Sequence, residues 1–211
     1  MAWHAVDTSP IEHGDSVLVL GGGPIGLGVI QCLKARGATT IIVAEVARER
    51  QNYAKMFGAT HIFDPRSEDV VKKSKEICAG QGPKIAFDCA GVPASIKTAV
   101  LAVRPRGTVV NVAIWENEVP FQPNSLVFGE KRYLAGECLL EVEYWRLLTE
   151  LVLGYQRNDY EGVVEALRTG TIKPEKMITS KIKIDRIVED GFKPLIEEKD
   201  KHVKILVDLK T

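Results

Sequence analysis

Apolar residues in this chain fall into two kinds of run. Ser16–Leu20, Thr40–Glu45, Ile85–Cys89 and Thr108–Val112 are short and mostly apolar, without the alternation of a half-exposed strand. They read as parallel strands covered on both faces. Between the first two, Ile25, Val29, Ile30 and Leu33 are spaced to line one helix face, with Gly37 suited to the exit. A second helix is expected from about Arg48 to Phe57, stopping at Gly58, and His61–Phe63 makes a short strand closed by Pro65. Ser67 is the expected N-cap of a polar helix through Ile77, because two acids follow it at once. Pro93 fits the first turn of a helix ending near Arg104, and Pro105-Arg106-Gly107 breaks the chain before the fifth strand. A sixth strand is expected at Arg132–Glu137.

This order predicts an α/β fold, a doubly wound parallel sheet of the Rossmann type, with successive helices on alternating faces. Beyond the sixth strand the rhythm changes. Trp145–Leu153 and Tyr160–Leu167 read as helices, Ile178–Ile184 as a strand, Ile187–Ile196 as a helix and Val203–Leu209 as a closing strand. The expected division is therefore 1–145 for the doubly wound domain and 146–211 for a C-terminal set of helices and strands.

The chemistry sits in the first strand–helix–strand unit. Leu20 runs into Gly21-Gly22-Gly23-Pro24-Ile25-Gly26. Gly21 allows the tight turn out of the strand, Gly23 lets the backbone approach a pyrophosphate, and Gly26 lets the helix pack closely on the sheet. The N–H groups at the start of the helix, near Pro24 and Ile25, would face the phosphates. Glu45 ends the second strand, about 20 residues past the turn, where a carboxylate can accept the adenosine ribose hydroxyls. It would repel a 2′-phosphate, which carries up to about two negative charges, so NAD is expected over NADP. Arg48 and Arg50 complicate this, since arginines just past that strand can bind the phosphate; equally, they read as exposed helix residues balanced by Glu49. The nicotinamide end is expected at the ends of strands four and five, at Cys89, Ala90, Val112 and Ala113. Cys89 reads equally well as a small buried residue, and Asp88 as a residue that shapes the site.

Composition narrows the partners. The 28 basic and 28 acidic side chains cancel, so no bulk field favours nucleic acid or an anionic membrane surface. No apolar run reaches spanning length, and no signal-like segment opens the chain. Cys32, Cys78, Cys89 and Cys138 are far apart, without a CxxC pair, as in reduced thiols of a cytoplasmic protein. His4, His13, His61 and His202 are equally scattered and read as structural or solvated, so no metal site is expected. Gly22, Gly26 and Gly28 also fit the GxxxGxG spacing of short-chain dehydrogenases, but none of the five tyrosines has a lysine four residues on.

The chain resembles the cofactor-binding half of the medium-chain, zinc-dependent alcohol dehydrogenases, in their butanediol and polyol dehydrogenase branch. The resemblance is carried by Ala2-Trp3-His4-Ala5, Gly14-Asp15-Ser16-Val17-Leu18-Val19, Gly21–Leu27, Phe87-Asp88-Cys89-Ala90-Gly91, Met177–Ile182 and the ending from Gly191-Phe192 to Val207. It implies hydride transfer between a secondary alcohol and NAD. It also implies backbone groups after the fifth strand holding the nicotinamide carboxamide, and a basic contact to the adenosine ribose from Arg50. A homodimer is implied as well, formed along the sixth strand at Arg132–Gly136 with Val119–Phe128 close by. Residues 146–211 correspond to elements that return to the catalytic domain. The family's zinc-bearing first domain has no counterpart here, and about Leu139 to Gln156 looks longer than in family members. The expectation is a chain that binds NAD(H) and, without that domain, neither binds zinc nor oxidises alcohols. A non-catalytic nucleotide-binding or sensor domain is the alternative.

Overall fold

The computed structural model of the chain describes residues 1–135, 157–198 and 200–209. The apolar runs are strands: β1 (Ser16–Leu20), β2 (Thr40–Ala44), β3 (His61–Phe63), β4 (Ile85–Asp88), β5 (Thr108–Asn111) and β6 (Arg132–Ala135). They form one sheet in the order β3-β2-β1-β4-β5-β6, with every pairing parallel. Val17, Leu18 and Val19 of β1 have no exposed surface. Burying each such side chain is worth about 1.5–3 kcal/mol, which is why the unalternating runs occupy the middle of the sheet.

Strand order reverses between β1 and β4, so a crevice opens at the carboxyl ends of these two strands. The helices do not alternate between faces as expected. α1 (Ala2–Asp7), α2 (Pro24–Ala35) and α3 (Arg48–Phe57) pack with Val17, Val19 and Phe87 on one face. α4 (Val70–Ile77), α5 (Pro93–Ala102) and α6 (Asn124–Val127) pack with Leu18, Leu20 and Ala86 on the other. The steps β1 to β2 to β3 run in one direction, so right-handed crossovers place both helices on the same face. The jump back to β4 sends the following helices across the sheet.

Boundaries differ locally. Ser67 does not cap α4, because its N–H and that of Glu68 already turn back to the Asp64 carbonyl (3.1 and 2.9 Å). The cap is Asp69, whose Oδ1 accepts the Lys72 N–H at 2.9 Å. α5 ends at Ala102 rather than near Arg104, because Val103 is extended and the Arg104 N–H goes to the Pro83 carbonyl (3.0 Å).

The C-terminal part contains α7 (Arg157–Arg168), β7 (Ile178–Lys183), α8 (Lys193–Glu197) and β8 (Lys204–Asp208). β7 and β8 pair in parallel as a two-stranded sheet of their own. The expected helix over Ile187–Ile196 splits into a wide π-helical turn, Ile187–Phe192, followed by α8. Pro194 at the start of α8 has no N–H to continue the earlier ladder. Val203 and Met177 of this part join the core around β1 and α2, and polar and close contacts add to the tie. His4 Nδ1 meets Asp159 Oδ2 at 2.9 Å, Gly162 lies against the Trp3 indole, and Gln31 Oε1 accepts the Lys173 N–H at 2.8 Å. The end of the expected sixth strand (Gly136, Glu137), Cys138, the helix over Trp145–Leu153, the 145/146 boundary and all of the long 139–156 segment lie outside the described residues.

Candidate dinucleotide site

The glycine turn leaves β1 with Gly21 at φ +95°, a left-handed conformation that favours glycine. A Cβ on Gly21 would come within 3.2 Å of the Ala90 N and Cβ atoms, so β1 and the residues after β4 meet here almost backbone to backbone. At Gly26 a Cβ would lie 1.9 Å from the Gly21 carbonyl oxygen and 3.7 Å from Cys89 Cβ. The start of α2 therefore sits directly on the turn. Gly23 is different: it caps α2 in extended backbone, its carbonyl accepts the Leu27 N–H (2.9 Å), and a Cβ there would meet nothing within 4 Å. Pro24 occupies the first helical turn, and Ile25 packs against the α2-side core. The open face at Gly23 and the first-turn N–H groups of a twelve-residue helix suit a phosphate group.

Glu45 is only 5% exposed, just past the end of β2. Its Oε2 accepts the Gly22 N–H at 2.5 Å and its Oε1 accepts the Ala47 N–H at 2.7 Å. A carboxylate offers about four lone-pair positions, so two acceptor positions remain for a diol. Glu45 thus fastens the glycine turn to the loop after β2, a second task that spacing alone did not reveal. Arg50, half-buried in the first turn of α3, has its Cβ 3.5 Å from where a Gly22 Cβ would stand. Arg48 is exposed on the same turn. Arg66 was not singled out from the sequence. It pairs with Asp64 and donates through Nη2 to the Val46 carbonyl (2.7 Å), steadying the same loop.

On the other side of the switch point, Cys89 donates its N–H to the Leu20 carbonyl (2.9 Å). Burial, aided by the Asp88 charge, pushes its thiol pKa up, so it stays a thiol. Ala90 is exposed beside Gly21. Gly91, at φ +65°, would place a Cβ 2.9 Å from Ala113 Cβ, bringing the β4 and β5 turns together. Val112 is buried and Ala113 half-buried; both donate their N–H groups to the Asp88 carbonyl (2.9 and 3.0 Å). Gly21, Gly23, Pro24, Ile25, Gly26, Glu45, Arg50, Cys89, Ala90, Val112 and Ala113 therefore all lie on the turns and helix starts that follow the carboxyl ends of β1, β2, β4 and β5, around the switch-point crevice. Asp88 joins its two walls. Its Oδ1 accepts the Ala90 and Gly91 N–H groups (3.0 and 3.2 Å), as aspartate does in turns.

Among the described residues no three His, Cys, Asp or Glu side chains converge as a metal site, so the residues described do not fit zinc. Among the same residues no helix is long and apolar enough to cross a membrane.

A doubly wound sheet with this turn at its switch point and an acid after β2 defines a dinucleotide-binding domain of the NAD(P) type. The profile of the family described as zinc-binding dehydrogenase matches residues 24–153. The chain belongs to that family. It is 36% identical over 216 residues to (R,R)-butanediol dehydrogenase of Saccharomyces cerevisiae, covering 98% of this chain and 52% of that protein. The crystal structure of 2R,3R-butanediol dehydrogenase from Bacillus subtilis superposes with a TM-score of 0.85 at 35% identity, over 99% of this chain and 55% of the other. A Sinorhizobium meliloti protein described as a candidate zinc-binding dehydrogenase, solved bound to NADP, matches with a TM-score of 0.78 at 26% identity, over 99% and 56% of the two chains. The chain spans about half the length of the curated relatives it matches.

Proposed function

We propose that this chain is the NAD(H)-binding portion of an alcohol dehydrogenase that passes hydride between a secondary alcohol, of the butanediol or polyol class, and the nicotinamide ring. The observation that carries this reading is the continuous line of close approaches from Glu45 through Gly22, Gly21, Ala90 and Gly91 to Ala113. In it, the open backbone at Gly23 and the start of α2 receive the pyrophosphate. Glu45, with Arg50 beside it, takes the adenosine ribose. Cys89, Ala90, Val112 and Ala113 flank the nicotinamide, with backbone groups after β5 orienting its carboxamide. When bound, the dinucleotide supplies the hydride acceptor; the chain's own residues bind and orient it. Residues 1–145 form the dinucleotide domain in this reading and 146–211 a separate C-terminal part, a division supported by β7 and β8 forming their own sheet.

NAD is preferred over NADP because Glu45 is buried, acceptor-only and adjacent to the turn, where a second anion would meet it without intervening solvent. The protein acts as a homodimer through β6, whose residues Arg132–Ala135 are all exposed at an edge that pairs with no further strand among the described residues. Titrating the purified chain with NADH and NADPH by fluorescence tests the reading, alongside turnover of a panel of diols with and without zinc. Saturable NADH binding that exceeds NADPH binding, with no turnover by the chain alone, is expected. Tighter NADPH binding would overturn the cofactor assignment, and zinc-dependent turnover abolished by a chelator would overturn the division of labour.

A further inference from the structure

The residue that joins the two walls of the crevice also holds a buried carboxyl oxygen without a hydrogen-bond partner among the described residues. Asp88 has no exposed surface. Its Oδ1 serves the Ala90 and Gly91 N–H groups and its main-chain carbonyl the Val112 and Ala113 N–H groups. Its Oδ2 is buried without a hydrogen-bond partner among the described residues. Ser95 on α5 lies close enough to ease the charge, yet its hydroxyl is committed to Val92. It donates to the Val92 carbonyl at 2.8 Å and accepts the Val92 N–H at 3.2 Å. No lysine or arginine pairs with Asp88 among the described residues. A buried carboxylate ordinarily has a cation or a full set of donors, and Asp88 has two donors on one oxygen.

Its neighbours register the charge. Burial raises the Asp88 carboxyl pKa. The Cys89 thiol and the Tyr133 phenol are both pushed up, by burial first and by the Asp88 charge second. A group in this state is stabilised by a cation arriving from outside the chain. Oxidised and reduced nicotinamide dinucleotides differ by one positive charge, on the ring, and the strand ends next to Asp88 are those assigned to that ring.

We propose that Asp88 is the built-in counter-charge of the crevice, favouring the oxidised, cationic nicotinamide over the reduced, neutral one while its main chain and Oδ1 set the turns after β4 and β5. This rests on the reading of the crevice as an NAD(H) site. Asp88→Asn keeps an acceptor for the Ala90 and Gly91 N–H groups and removes the charge; Asp88→Glu keeps the charge; Asp88→Ala removes both functions.

The test measures NAD⁺ and NADH dissociation constants for the wild-type chain and all three variants, by calorimetry, with thermal melts to establish folding. The readout is the ratio of the two constants, which a purely structural role would leave unchanged. Asp88→Asn is expected to weaken NAD⁺ by about tenfold relative to NADH, the scale of one partly screened charge interaction. Asp88→Ala should shift the ratio in the same direction and weaken both forms, and Asp88→Glu should preserve it. Equal weakening of NAD⁺ and NADH in the neutral variants that fold would overturn the inference while leaving the cofactor reading standing. A wild-type chain that binds neither would overturn both.

Discussion

At Gly26 and Gly23 the same residue type performs opposite tasks. Gly26 is needed because a Cβ would lie 1.9 Å from the Gly21 oxygen, whereas Gly23 faces open space. Gly26→Ala should therefore destabilise the fold by about 1–3 kcal/mol through overpacking, read as a lowered melting temperature. Gly23→Ala should melt like wild type yet bind NADH more weakly. Glu45→Ala should weaken NADH binding by about 1–3 kcal/mol, the cost of poorly paired hydroxyls, and loosen the Gly22 turn it now holds. Asp88 gives a pH signature in the cofactor-free chain. Its pKa is raised in the folded state, so its ionisation opposes folding as pH climbs above the ordinary aspartate value of about 3.9. The stability difference between Asp88→Asn and wild type should move in the variant's favour as pH rises through that window, in urea melts at stepped pH. The glycines and Glu45 were legible because their spacing is a local, chain-wise signal. The bridging role of Asp88 was not, because it depends on β4 and β5 lying in register, Asp88 opposite Asn111.

Among the elements, buried parallel strands were easiest to read, since burial on both faces removes alternation and leaves an apolar run. Helix starts were harder. Ser67 and Asp69 are both competent caps in sequence, and the choice was made by Asp64, whose carbonyl had already turned Ser67 aside. The docking of α7 on α1 left no trace in periodicity. It rests on Trp3 against Gly162 and on His4, whose scattered position suggested only a structural or solvated residue, and which pairs with Asp159 across the chain. His4→Ala should lower stability by about 1 kcal/mol, the net worth of one such hydrogen bond, in a thermal or denaturant melt. β6 makes a different prediction. Tyr133 and Leu134 are 42% and 36% exposed on the last strand of the sheet among the described residues, an arrangement that invites strand pairing. Leu134→Lys should shift the chain toward monomer in light scattering while leaving its melting behaviour intact; a wild-type chain already monomeric would count against the β6 interface.

For the whole molecule, strand order matters more than any one residue. The reversal between β1 and β4 opens the crevice, and right-handed crossovers sort the helices into one group per face rather than alternating them. The crevice then gathers residues from the ends of β1, β2, β4 and β5 that are far apart in sequence, and family membership gives it a cofactor class. A dinucleotide bound to this chain would lie along this line of close approaches. Mapping backbone amide shifts by NMR as NADH is added to the isotopically labelled chain tests this placement most directly. Saturable shifts are expected at Gly21–Gly26, Glu45–Ala47, Ala90-Gly91 and Val112-Ala113. Shifts confined to α7, β7 and β8, or none at all at saturating NADH, would contradict it.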